Sequence, residues 1–295
     1  MTRFTKNMGN DSKGKGKSSR SFTYVDGRRH HNNPSCPYPL PNDLEEINRL
    51  DIQHHVIQQV TQRRYFAPLD NPKRAIDIGT GTGIWMMETA TDYPECEFLG
   101  IDIAPLQPTV VLPQNCRFEL RNALEPFPHS TGYFDYVRHR LLVAAIPKDK
   151  WVPYVRECVR ICASGGWVEM IDTNCAYQGG GAAWRRIGSM VKGALRARGL
   201  SLETVDILDT LMREAGLVDV CVEEFKVPAG RLSGGGIGEL FLSGVCMATM
   251  ALMPLFATTY GMSHQELDEL VRKAKKEVEQ HAAYLTFRAH IGRKP

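Results

Sequence analysis

The 295-residue sequence lacks any pattern of paired cysteines. Its eight cysteines are scattered and form no Cys-x-x-Cys motif. Cys158 and Cys162, four residues apart on a predicted helix, have no histidines spaced to complete a metal site. Zinc-binding domains and disulfide-rich secreted domains both depend on such spacings. We therefore expect reduced thiols in an intracellular protein, and no metal site.

The sequence also has little that favours a membrane or a secretory leader. An uncharged, mostly apolar run covers residues 240–256. It is shorter than the ~20 residues that a transmembrane helix needs, and Pro254 interrupts it. The run predicts a buried helix whose methionines line a substrate pocket, although an ordinary core helix fits the same pattern. We expect no membrane association.

Basic residues are not in excess outside the N-terminus. Residues 1–31 hold eight Lys and Arg against two Asp, whereas the whole chain has a net charge of only +3. A nucleic-acid-binding body would carry more positive charge, so we expect no direct nucleic-acid contact. Residues 1–33 predict a disordered basic tail, because they contain few apolar residues. The tail is either a nuclear localisation signal, an RNA or lipid contact, or a solvated segment, so we expect a cytoplasmic or nuclear protein.

Beyond this tail, hydrophobic patterns alternate between strand and helix. Such alternation predicts an α/β, Rossmann-like fold with a mostly parallel sheet and helices on both faces. Two late strands, 218–228 and 283–292, predict an antiparallel edge. The earlier predicted strands are 74–79, 96–102, 115–120, 133–140 and 165–173, and the predicted helices are 43–66, 83–92, 151–163, 182–198, 201–216 and 261–282.

After the tail at 1–33, the same patterns divide the rest of the chain into two parts. Residues 34–70 predict an N-terminal helical lid, with Asn42 or Asp43 as helix cap. Residues 71–295 predict the Rossmann-like domain. A helical cap is inserted in it around 174–215 and 230–262, and Gly234-Gly235-Gly236 is a candidate hinge.

A glycine loop follows the first predicted strand, in the stretch AIDIGTGTGIW at 75–85. Gly79, Gly81 and Gly83 form Gly-x-Gly-x-Gly, which lacks the Gly-x-Gly-x-x-Gly spacing of dinucleotide-binding loops. Asp77 lies just before the loop, and Asp102 ends the next strand. The loop predicts a cofactor that lies against the backbone.

The two acids favour S-adenosylmethionine (SAM) over a nicotinamide cofactor. Asp77 is placed to orient the cationic amino-acid end of SAM, directly or through water. Asp102 can accept hydrogen bonds from both ribose hydroxyls. We therefore predict a SAM-dependent methyltransferase, with S-adenosylhomocysteine (SAH) as product, and a NAD-dependent oxidoreductase as the less favoured alternative.

The sequence resembles the fungal LaeA-like methyltransferases, which are Rossmann-like SAM-dependent enzymes. Tyr38 to His54 is similar to the family segment YxLPxDxxExxRLDxxH, and Asp77 to Trp85 to its DLGCGTGIW. Gly100 to Pro108 matches G-[VI]-D-[LI]-[AS]-P-x-Q-P, and Gly292 to Pro295 resembles the closing A-R-K-P. The resemblance spans about 22–295, but only loosely over 174–260.

The methionine-rich cap and its candidate hinge favour an enclosed pocket, so the first hypothesis is methyl transfer to an O or N atom of a small molecule in fungal secondary metabolism. The alternative, which the resemblance suggests, is a LaeA-like regulatory methyltransferase in a nuclear protein complex that controls secondary metabolism or development. A non-catalytic scaffold is a third hypothesis. The expected partners are a small-molecule acceptor, a regulatory protein partner in the second case, and a second copy in a homodimer.

Candidate site residues follow from the motifs and from the strand ends. His139 is the candidate base, with packing or a contact to the methionine moiety as the alternative. Asn122 and Ala123 stand where many class I enzymes have an adenine-binding Asp. Arg138 and Arg140 either bind an anionic group or pair with surface carboxylates, and Glu169 or Asp172 holds a substrate amine or a structural arginine. The predicted cofactor-binding residues are Asp77, Gly79, Thr80, Gly81, Gly83, Trp85, Asp102, Ile103, Asn122, Ala123 and Arg138.

Overall fold

The computed structural model describes residues 22–107 and 112–295. It begins with a hairpin of two antiparallel strands, β1 (Phe22–Val25) and β2 (Arg28–His31). Arg28 donates to the Asp43 carboxylate, and Arg29 donates to the Asn42 side chain at 2.9 Å. The prediction of a disordered tail is therefore wrong for residues 22–31, because two of its basic residues dock the hairpin on the next helix. Residues 1–21 of that tail lie outside the described residues.

The first half of the chain forms five parallel strands. The strands lie in the order β5-β4-β3-β6-β7, so the direction of strand addition reverses between β3 and β6. The elements are α1 (Leu44–Thr61), β3 (Arg74–Ile78), α2 (Ile84–Asp92), β4 (Glu97–Asp102), β5 (Cys116–Leu120), β6 (Phe134–Arg140), α3 (Trp151–Ile161) and β7 (Cys162–Asp172).

The second half adds antiparallel strands and a group of helices. β10 lies between β7 and β9 and is antiparallel to both, and β8 pairs with the first residues of β10. The eight-stranded, mostly parallel sheet with an antiparallel edge confirms the predicted fold class. The elements are β8 (Tyr177–Gly179), α4 (Ala182–Ala197), α5 (Leu208–Glu214), β9 (Val218–Ala229), α6 (Arg231–Ala251), α7 (Met253–Tyr260), α8 (His264–Gln280) and β10 (Ala283–Arg293).

Helix ends follow local capping chemistry. The Asp43 side chain accepts from the backbone N–H of Glu46, and α1 ends at Thr61, five residues before the predicted end. Ser263 and Glu266 form a capping box at the start of α8. The predicted helix 201–216 begins instead as a 3₁₀ turn over Leu202–Ile207.

The uncharged run at 240–256 is divided between α6 and α7. Pro254 lies in the first turn of α7, where its missing N–H costs no hydrogen bond. Gly234 and Gly235 lie inside α6 as a non-helical kink, not in a loop. By length and composition alone, α6 could cross a membrane, a test that core helices also pass. It packs against α1, β9 and α8, and Phe241 is buried.

The strand order determines where a ligand can lie. In open α/β sheets, ligands bind beyond the carboxyl ends of the strands, at the point where the order reverses. That point lies between β3 and β6. The buried residues of these strands, such as Ile76, Ile78 and Val137, form the rigid floor beneath it.

Candidate active site

A cavity of about 270 Å³ opens at the carboxyl ends of β3, β4 and β6. Its cofactor end is formed by the glycine loop and the ends of β4 and β5. Its other end, called here the acceptor chamber, is formed by residues after β6 and β7, by helices α4 and α6, and by β10. The chamber residues are Leu141, Leu142, Val143, Ala144, Ala145, Ile146, Thr173, Cys175, Tyr177, Val191, Leu195, Leu202, Phe241, Gly244, Val245, Ala248, Thr249, Leu252, Leu285 and Phe287.

The three glycines of the loop have different roles. All have positive φ, which L side chains rarely adopt. A Cβ at Gly79 would lie 2.5 Å from Leu142, and one at Gly83 would lie 2.4 Å from Phe118. A Cβ at Gly81 would meet nothing closer than Leu50 at 3.6 Å. Gly81 therefore presents bare backbone to the cavity, whereas Gly83 is the N-cap of α2 and does not line the cavity.

Asp102 is held at the end of β4 by backbone donors. Its Oδ2 accepts from the N–H of Gly81 at 2.9 Å, and its Oδ1 accepts from that of Ala104 at 3.0 Å. Burial raises the pKa of Asp102, and these backbone hydrogen bonds oppose the rise. Asp102 and Ile103 both line the cavity, so the carboxylate keeps acceptor capacity for a ligand.

Asp77 lines the cavity but shares its charge with a buried arginine. Arg138 Nη1 donates to Asp77 Oδ1 at 2.6 Å, and its guanidinium carbon lies 3.7 Å from the centre of the Trp85 ring. Its Nε lies 3.6 Å from Glu169 Oε1. Arg138 is 2% exposed, so the predicted alternative of a surface ion pair is wrong. Glu169 therefore lies beside a structural arginine, which is one of the two roles predicted for it.

His139 does not reach the cavity. Its ring nitrogens are bonded to the Tyr154 hydroxyl at 2.8 Å and to Asp172 Oδ2 at 2.9 Å, and Asp172 Oδ1 accepts from the Val143 N–H. Successive strand residues point to opposite faces, so the cavity-lining Arg138 and Arg140 place His139 on the other face. This geometry contradicts the prediction of a base at His139.

The predicted adenine-side residues do line the cavity. Asn122 and Ala123 follow β5 there. The Asn122 side chain is already engaged, since its oxygen accepts from the Leu124 N–H and its nitrogen donates to Ser35 Oγ. Asn122 thus shapes this wall through its own turn, and its role towards adenine stays a prediction.

Helix α1 contacts both ends of the cavity. Thr82 of the glycine loop donates to Asp51 Oδ1 at 2.7 Å. His54 lies between Glu88, at 3.2 Å from its Nε2, and Arg140, at 3.1 Å from its Nδ1. Burial lowers the pKa of His54 to about 4, so the ring is neutral near pH 7. The sequence suggested a lid helix here, but it did not identify the Arg140 contact.

The acceptor chamber is mainly apolar, with a few polar groups. Burial raises the pKa of the Cys175 thiol to about 12 and raises that of the Tyr177 phenol further. Both groups keep their protons at neutral pH. They can donate hydrogen bonds to an acceptor, but they do not serve as general bases in this state.

The cofactor end fits SAM in three respects. Asp102 offers a carboxylate to a ribose diol, and the backbone of Gly81 is open to close approach. The Thr80 hydroxyl and Nη2 of Arg138 are buried without a hydrogen-bond partner in the described part of the chain. Buried polar atoms of this kind are usually satisfied, and a polar ligand in the cavity would supply partners. Fold and site together define a SAM-dependent methyltransferase.

Comparison with known proteins gives the family. A methyltransferase-domain family model matches residues 75–166. The chain is 32% identical over 222 residues to the methyltransferase pytC of Aspergillus terreus, covering 72% of this chain and 67% of pytC. It is 28% identical over 273 residues to the N-methyltransferase sirN of Leptosphaeria maculans, covering 89% of this chain and 96% of sirN.

A third similarity extends to regulators. The chain is 34% identical over 152 residues to the secondary metabolism regulator laeA of Coprinopsis cinerea, covering 49% of this chain and 37% of that protein. The chain belongs to the LaeA-like family of fungal SAM-dependent methyltransferases, and SAM is its cofactor.

Proposed function

We propose that the chain methylates an O or N atom of an apolar small molecule in fungal secondary metabolism. The observation that carries the proposal is one cavity with two unlike ends. Asp102 and the bare Gly81 backbone face one end, and apolar residues of the cap helices enclose the other. An enclosed chamber suits a small acceptor, which must be aligned with the methyl group while water is kept out.

The residues divide the work accordingly. SAM, when bound, supplies a methyl group on a sulfonium, which is a good leaving group. Asp102 would hold the ribose, and Asp77, fixed by Arg138, would present its remaining oxygen to the ammonium group. Phe241, Phe287 and their neighbours would position the acceptor by shape. Much of the rate enhancement would then come from alignment.

Two relatives support this reading, and one supports the alternative. The similarity to sirN covers nearly the whole of that N-methyltransferase, and pytC is also named a methyltransferase. The similarity to laeA favours a regulatory methyltransferase in a nuclear complex, but it covers only about half of this chain. Both readings share the cofactor, and they differ in whether the chain works without a protein partner.

Calorimetry with SAH and with NAD tests the cofactor end, and methyl-labelled SAM tests the reaction. We expect the purified chain to bind SAH and not NAD, and to label a compound in a fungal metabolite extract. Asp102→Ala is the control, and it should label that compound much more weakly when labelled SAM is supplied below its Kd for the variant. Labelling that requires an added nuclear protein fraction would favour the regulatory reading. Labelling that is equal in the variant would refute the site.

A further inference from the structure

Arg140 is a cation without an ionic partner inside the cavity. It ends β6 and lines the cavity, and no carboxylate lies within 4.0 Å of it among the described residues. Among the described residues, Arg140 makes one side-chain hydrogen bond, in which its Nη2 donates to Nδ1 of the neutral His54. Burial and the nearby Arg138 lower the pKa of Arg140 to about 9, so it is charged at neutral pH.

The other arginines of the cavity each have a carboxylate within 4.0 Å among the described residues. Arg138 pairs with Asp77, and Arg49 pairs with Glu46 at 2.7 Å. Arg121, after β5, lies 4.0 Å from Glu119. Asp102 is held by backbone N–H groups. Within the described part of the chain, Arg140 is therefore the cavity arginine that has no carboxylate within 4.0 Å and is left to attract an anionic ligand. Burying a charge is costly unless it is paired.

Position assigns Arg140 to the acceptor side. Asp102 ends β4 and Arg140 ends β6, with β3 between them, so about 10 Å of sheet separates the two strands. Leu141, the next residue, has φ +61° and turns the chain so that residues 142–146 line the chamber. Side chains in this backbone region are strained and are often found at functional sites.

We propose that Arg140 binds a carboxylate inside the cavity, and that this carboxylate belongs to the methyl acceptor. A guanidinium matches a carboxylate in a bidentate pair. An acceptor carboxylate is also a nucleophile that needs no base. Its oxygen would form the bond to the methyl carbon while the carbon–sulfur pair returns to sulfur, giving a methyl ester and SAH with no proton released. The inference rests on the proposed function.

The amino-acid end of the cofactor also carries a carboxylate, so the experiment must separate the two sources. The variants are Arg140→Met, which keeps a long side chain without charge, and Arg140→Lys, which keeps the charge without the bidentate guanidinium. Arg121→Met is the matched control, since Arg121 lines the cavity at the end of β5. Calorimetry first measures the affinities of SAH and of 5′-methylthioadenosine, which lacks the amino-acid end of the cofactor. On SAH-loaded protein, it then compares the affinities of three carboxylates with those of their amides. The carboxylates are 3-phenylpropanoate, indole-3-acetate and decanoate.

We expect the SAH affinity of Arg140→Met to stay within threefold of wild type. At least one carboxylate should bind wild type tenfold or more tightly than its amide. That preference should vanish in Arg140→Met, return in part in Arg140→Lys and persist in Arg121→Met. Selective loss of SAH, with methylthioadenosine unchanged, would assign the carboxylate to the cofactor and overturn the acceptor assignment.

Equal binding of acids and amides, or binding of none of them while SAH binds, would also overturn the acceptor assignment. If Arg140→Met loses methylthioadenosine as well, its cavity is not formed, and Arg140→Lys decides between the outcomes. Failure of the wild-type chain to bind SAH would instead refute the proposed function itself.

Discussion

Replacing Asp102 tests the cofactor end most directly. Each of its oxygens accepts one backbone N–H, from Gly81 or from Ala104. A carboxylate has about four lone-pair directions, so each oxygen keeps one for a ligand hydroxyl. Asp102→Ala removes both acceptors, whereas Asp102→Asn keeps a single oxygen. The two variants should therefore form a graded series.

The expected magnitude follows from those two bonds. A hydrogen bond to a charged group contributes about 1.5–3 kcal/mol, so the pair would contribute about 3–6 kcal/mol in full. Water refills the site in the variant and recovers part of this. We expect Asp102→Ala to lose at least about 2 kcal/mol of SAH binding, or about 30-fold in affinity. The SAH affinity of Asp102→Asn should lie between those of Asp102→Ala and wild type.

The assay is a double-mutant-type thermodynamic cycle, in which calorimetry measures binding affinities while both the protein and the ligand are varied. 5′-Methylthioadenosine is compared with its 2′-deoxy and 3′-deoxy forms, on wild type and on Asp102→Ala. Wild type should prefer the intact ribose, and the variant should bind all three alike. Because Asp102 also holds the loop, a urea unfolding curve must show that the variant is folded. A preference for the intact ribose that survives in Asp102→Ala would refute the assignment.

Three further changes give distinct outcomes. Gly81→Val should abolish SAH binding in calorimetry while the chain stays folded, because its side chain would enter the open space above the loop and the left-handed φ costs only about 1–2 kcal/mol. His139→Ala should lower the free energy of unfolding by about 3–5 kcal/mol, since it strands Asp172 and Tyr154, but a folded sample should keep its SAH affinity. Burial lowers the pKa of His290 to about 4, so the folded state resists a proton that the unfolded state takes up below about 6.5, and stability is lost as pH falls. Urea unfolding of His290→Leu should therefore show about 2 kcal/mol less loss between pH 8 and pH 5 than wild type; an unchanged slope would contradict this.

The fold was largely predictable because its signals are local. Alternating strand and helix patterns and the Ser263 cap needed no tertiary information. The missed hairpin at 22–31 was also readable, since Asp26-Gly27 is a strong two-residue turn signal and both residues have positive φ. The basic composition around it concealed that signal, because Arg28 and Arg29 were counted as tail charge.

Site residues were predictable only where they belong to a sequence motif. Asp77, Asp102 and the glycines belong to one βαβ unit and were found from spacing. The Asp77–Arg138 pair depends on the register between β3 and β6, which places these residues side by side on neighbouring strands. His139 was chosen as the residue at a strand exit, although alternation along β6 would have assigned the cavity to Arg138 and Arg140. The sequence left Arg140 between an anionic ligand and a surface carboxylate, and the choice required knowledge of the ionic partners of the other charges.

The contacts of α1 connect the two proposals. Asp51 binds Thr82 in the glycine loop, and three residues further on His54 binds Arg140 at the acceptor end. One continuous helix therefore contacts both the backbone proposed to bind the cofactor and the cation proposed to bind the acceptor. A ligand that orders α1 at either end lowers the entropic cost of ordering it at the other. By linkage the effect is reciprocal, so SAH and a carboxylate acceptor should each bind more tightly when the other is present. His54 is the residue through which that coupling would pass.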